Sequence, residues 1–133
     1  MEEYSNVCFL RGSRFNKNHY RIFTLALREA LIRYNYIDEE REDEWMCMFE
    51  GGSIREQDQF SFRWNQANSH CVYLFDKLEE EQIIVKEKLD NTINRFFGIK
   101  NVAQTRYSYY PKPKGSDVII KLVKEVITHT LKF

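Results

Sequence analysis

The sequence predicts a single α+β domain over residues 1–133: a mainly antiparallel sheet in the order β-α-β-β-β-α-β-α, with the helices packed on one face. Three observations lead to it. Short apolar runs bounded by turn residues recur along the chain, as strands require. Longer stretches carry apolar residues at spacings of three and four, as amphipathic helices require. The length of 133 residues suits one hydrophobic core and is short for two.

The first run, 7–10, stops at Arg11, Gly12, Ser13 and Arg14, and Gly-Ser is turn chemistry, so it reads as strand one. Across 18–36 the apolar positions Phe23, Leu27, Ala30, Leu31 and Tyr34 recur at helical spacing, and Glu29 lies one turn before Arg33. The acidic stretch 38–44 reads as a solvated loop. Residues 45–49 are apolar throughout and end at Gly51-Gly52, which suits a strand covered on both faces. Phe60, Phe62 and Trp64 alternate with Ser61 and Arg63, the period of a half-buried strand. Residues 71–75 form another apolar run, so the three strands are expected to make a meander.

Asp76 with Glu79 reads as an N-cap and capping box opening a second helix, with a stripe of Leu78, Val85, Leu89, Ile93 and Phe96 and a terminating Gly98. Residues 102–110 read as the last strand, closed by Pro111 and Pro113. Ser116 then caps a final helix whose apolar face is Val118, Ile119, Leu122, Val123, Val126 and Ile127, opposite Lys121 and Lys124.

Composition limits the function classes. Apolar residues at 43% and charged residues at 30% supply a core and a wetted surface, which excludes disorder of the whole chain. Lysine plus arginine equals aspartate plus glutamate, 20 against 20, so an electrostatic partner must be met by a local patch. No basic-then-apolar leader pattern and no membrane-length apolar run is evident, so the expectation is a soluble cytoplasmic protein without a membrane partner. The cysteines, Cys8, Cys47 and Cys71, are odd in number and lie in apolar segments, as buried free thiols in a reducing compartment do. Ten phenylalanines, eight tyrosines and two tryptophans, with zero net charge to hold copies apart, favour a homo-oligomer.

The sharpest functional signal joins strand one to helix one. Arg11, Gly12, Ser13, Arg14, Lys17, Asn18 and His19 surround a helix start, where unpaired backbone N–H groups attract anions. Gly12 would let the backbone approach a phosphate, Ser13 offers a hydroxyl, and the arginine forks hold phosphate in bidentate fashion. The segment matches neither a dinucleotide fingerprint nor a P-loop. Its competing reading is an ordinary turn with solvated cations. A second patch contains Arg106, Tyr107, Tyr109 and Lys112, rings and cations interleaved as single-stranded nucleic acid or a nucleotide requires. The competing reading there puts Tyr107 and Tyr109 in the core.

No close pair of cysteines or histidines implies a metal, no motif implies a cofactor, and His19, His70 and His129 have no evident catalytic partner. The expected function is a non-catalytic module that binds a phosphorylated small molecule, a nucleotide or short single-stranded nucleic acid. The first alternative is a protein-interaction or self-associating module with an aromatic interface. The second is a small phosphate-ester enzyme using His19 or His70.

Overall fold

The computed structural model describes residues 4–5, 7–39, 41–52, 54–55 and 62–133. Asn16 opens the first helix, α1 (Lys17–Arg33), its Oδ1 accepting from the His19 backbone N–H at 2.8 Å. Tyr20, Phe23, Thr24, Leu27, Ala30 and Leu31 form its buried stripe. The last helix, α6 (Asp117–Thr130), buries Ile119, Leu122, Val123, Val126 and Ile127 and packs chiefly against α1. Both helices lie where the apolar spacing predicts them. Val118 departs from its predicted face and is exposed, and Ser116 precedes α6 without a side-chain capping bond.

The predicted sheet is overturned. Among the described residues the chain is helical, with six helices, and its strand pairing is a two-residue antiparallel contact of β1 (Tyr4–Ser5) with β2 (Ile54–Arg55). Residues 45–49 lie in α2 (Glu42–Glu50), and the acidic residues Glu42, Asp43 and Glu44 form its first turn rather than a loop. Carboxylates there face the positive end of the helix dipole. Residues 71–75 lie in α3 (Asn68–Glu80), which runs through Asp76, so Asp76 is a mid-helix residue and not an N-cap. The predicted second helix starts later, as α4 (Leu89–Phe97), and ends as expected at Gly98, whose φ of 71° is left-handed. Residues 102–110 hold α5 (Val102–Ser108) and a following turn. Of the predicted strand around Phe60 to Trp64, residues 60 and 61 lie outside the described residues, and 62–64 have no regular structure.

One ambiguity explains these corrections, because a short continuous apolar run fits a buried strand and a buried helix equally. Within α2 only Trp45, Met48 and Phe49 are fully buried, and within α3 Cys71, Val72, Leu74, Phe75 and Leu78 are, both at helical spacing. Intervening Met46, Cys47 and Tyr73 are half-buried.

Residues 7–12 join no helix and no sheet, and the chain bends at 13–15. They run between the end of α2 and the loop after α3, with Phe9 N–H donating to Met48 O at 2.8 Å and Gly12 N–H to Ile83 O at 2.8 Å. Arg11 and Ile84 make an isolated bridge. The aromatic surplus goes mainly into the core. Phe9 stacks on Phe75 at 4.7 Å, Trp45 meets Phe62 edge-on at 5.5 Å, and Trp45 Nε1 donates to Thr24 O at 2.8 Å, tying α2 to α1. Tyr34, Tyr107, Tyr110 and Phe133 are the exposed aromatics among the described residues. No described helix is long and apolar enough to cross a membrane.

Candidate functional site

The segment preceding α1 divides in two. Gly12, Ser13 and Arg14 turn inward to the loop after α3. A Cβ on Gly12 would collide with the Gln82 carbonyl, so glycine is required there by the approach of two backbones and not by a ligand. Ser13 Oγ donates to Gln82 Oε1 at 3.2 Å, and Arg14 Nη1 pairs with Glu81 Oε1 at 3.1 Å. His19 is half-buried, its ring 6.3 Å from that of Phe15. Gly12, Ser13 and Arg14 are thus occupied with the chain itself.

Arg11, Lys17 and Asn18 face the other way. With Arg21 they line a cleft of about 590 Å³ between the 8–11 segment, the first turns of α1 and the end of α2. Phe9, Leu10, Tyr20 and Phe49 supply apolar wall, and Cys8 and Glu50 complete the lining. Arg11 Nη1 donates to Phe15 O at 2.7 Å, which orients the guanidinium and leaves it four further N–H donors. Arg21 Nη2 pairs with Glu50 Oε1 at 3.1 Å, a solvated contact that exchanges readily. Tyr20 is buried beneath, its hydroxyl donating to Phe49 O at 3.1 Å. Burial pushes its phenol well above the ordinary range, with Cys8 and Glu50 adding in the same direction and Arg11 opposing. Three cations thus meet one carboxylate. Arg21 and Glu50 escape sequence reasoning, since Glu50 reaches the cleft only because 45–49 is helical.

The second predicted patch also divides. Arg106 is held by Asp76 and Asp90, its Nε donating to Asp76 Oδ2 at 2.6 Å and its Nη2 to Asp90 Oδ1 at 2.7 Å. The Tyr109 hydroxyl donates to the same Asp76 Oδ2 at 3.1 Å, and its ring lies edge-on to Tyr73. Burial, then Asp76, push the Tyr109 phenol up. Arg106 and Tyr109 are thus both tied to Asp76, and Arg106 also lines a hollow of about 400 Å³ with Asp76, Lys86, Lys88 and Asp90. Tyr107 is 85% exposed, contrary to the reading that puts it in the core, and Lys112 is exposed in the segment that follows α5. Tyr110, in the same segment, is 83% exposed.

Neither histidine proposed as acid or base lines the cleft. His70 Nε2 donates to Lys114 O at 2.7 Å, and its Nδ1 is buried with no hydrogen-bond partner among the described residues. No cluster of three or more metal-binding side chains occurs among the described residues. No protein-family model, no curated protein and no solved structure matches this chain.

Proposed function

We propose that this chain is a non-catalytic module that binds a phosphorylated small molecule of nucleotide size in the cleft at the start of α1. One observation carries the reading: Arg11, Lys17 and Arg21 converge on one concavity against the single carboxylate of Glu50. Its volume of about 590 Å³ suits a small ligand. The arginine forks offer planar donor pairs to phosphate oxygens, Lys17 adds a point charge, and Asn18 a neutral donor. The apolar wall lowers the local dielectric and strengthens each of these contacts. Glu50 would release Arg21 to the incoming anion.

Calorimetric titration with nucleoside mono-, di- and triphosphates tests this. Arg11→Ala and Lys17→Ala should each weaken binding roughly ten- to hundredfold, the value of a charge-assisted hydrogen bond. Arg14→Ala should leave affinity unchanged, because that guanidinium is engaged with Glu81. Absence of binding to wild type, or equal affinity in all three variants, rejects the reading.

A further inference from the structure

We infer that the Tyr107–Tyr110 face, apart from the cleft, is a stacking platform for single-stranded nucleic acid. Between Asp90 and Asp117 the chain has no acidic residue and five cations, Arg95, Lys100, Arg106, Lys112 and Lys114, of which Arg106 is paired with Asp76 and Asp90 and Arg95 lies over the Phe96 ring. Arg106 engages both nearby carboxylates, Asp76 and Asp90, and offsets one of their two negative charges. Tyr107, in the last turn of α5, and Tyr110, in the turn that follows, are each more than four-fifths exposed. Lys112 and Lys114 follow in the next turn, also exposed, with Lys112 Nζ only loosely approached by Asp117 at 3.9 Å.

The backbone carrying these side chains is anchored at several positions. Arg106 and Tyr109 are tied to Asp76, Lys114 O accepts from His70, and Pro113 and Ser116 are buried. Held this way, the platform loses little conformational entropy on binding. Two exposed rings followed by two lysines match successive bases with their phosphates, and every base has a face to stack, so the platform is tolerant of sequence. A paired duplex hides its base faces and offers phosphates alone. Two exposed lysines following two exposed rings favour a polyanion over a protein partner, whose interfaces deplete lysine.

The test is fluorescence anisotropy with a labelled twelve-nucleotide oligo-U and oligo-dT, and a duplex of equal length. Wild type should prefer the single strands, and Tyr107→Ala and Tyr110→Ala should each weaken binding roughly five- to hundredfold with melting unchanged, since neither ring supports the core. The Lys112→Ala, Lys114→Ala double variant should flatten the salt dependence by about one to one and a half in log–log slope. Arg11→Ala should not affect oligonucleotide binding, so failure of the cleft reading and of this one are read separately. Equal affinity for duplex, no binding, or tyrosine variants that bind like wild type would each overturn the assignment. So would tyrosine-dependent self-association in sedimentation without oligonucleotide binding, which would make the face a protein interface.

Discussion

Arg106 holds Asp76 in a bidentate grip, Nε to Oδ2 at 2.6 Å and Nη2 to Oδ1 at 2.8 Å, and this pair fastens α5 to α3. The same guanidinium reaches Asp90 on α4 through Nη1 at 3.2 Å and Nη2 at 2.7 Å. The clamp matters because α5 buries only Val102. A seven-residue helix with one buried side chain has little hydrophobic reason to stay docked.

Removing Arg106 should therefore cost more than a surface charge usually does. Arg106→Ala leaves two partly buried carboxylates facing each other, and the expected loss is about 1 to 3 kcal/mol, less than for a fully buried pair because water reaches all three side chains. Arg106→Lys keeps the charge but not the fork and should recover only part of it. Urea midpoints measure both, and an unchanged midpoint for Arg106→Ala would show that α5 is held by something else.

Gly12 gives the second expectation. Its Cβ position is filled by the Gln82 backbone, so Gly12→Ala must separate the two segments or strain them, at about 1 to 3 kcal/mol. Neighbouring Ser13→Ala loses one exposed hydrogen bond and should change stability by less than about 0.5 kcal/mol. Thermal melts compare the two directly. Equal melting would mean the segments can part at no cost.

How much of this is legible in the sequence depends on length and on sequence distance. Helices α1 and α6 are legible because each repeats its apolar spacing over several turns, and Gly98 marks an end correctly. Helices α2 and α3 are hidden because their apolar runs are solid, and the residue that breaks the tie in α3, Leu78, reads in the sequence as the start of another helix. Helix α5 has almost no apolar pattern to find. At the site, the cations of the 11–19 segment are visible as composition, but which of them are free is not. Arg14 is withdrawn by Glu81, 67 residues away, and Arg106 by Asp76, 30 away. Such pairings follow from the fold, and no local signal announces them.

The thiols should separate by burial. Cys71 is fully enclosed on α3, and burial pushes its thiol well above the ordinary range. Cys47 is half-buried, its thiol raised by burial and then by Asp43 and Glu44 on its own helix. With a maleimide at neutral pH followed by mass spectrometry, Cys71 should label only on unfolding, and Cys47 more slowly than a free thiol. Native labelling of Cys71 at the rate of a small thiol would contradict its place in the core.

Tyr20 makes the final expectation, a crossover in stability at alkaline pH. Its phenol is raised by burial in the folded protein above the usual tyrosine value of about 10, while in the unfolded chain it titrates near that value. A group whose folded pKa is raised contributes stability that is fully present below the unfolded pKa and is lost as pH rises toward the folded one. At neutral pH, Tyr20→Phe should be the less stable protein by about 0.5 to 1.5 kcal/mol, because the bond to Phe49 O is gone. Above about pH 10 the wild type loses about 1.4 kcal/mol of this contribution per pH unit, and phenylalanine has no proton to lose. The Tyr109 phenol, raised in the same direction, is present in both proteins and cancels in the comparison. The two stability curves from urea unfolding should therefore meet within roughly one unit above pH 10, and the variant should be the more stable beyond that point. A gap that stays constant to pH 11 would mean that Tyr20 ionises as freely in the folded chain as in the unfolded one, and that the wall of the cleft it supports is open to water.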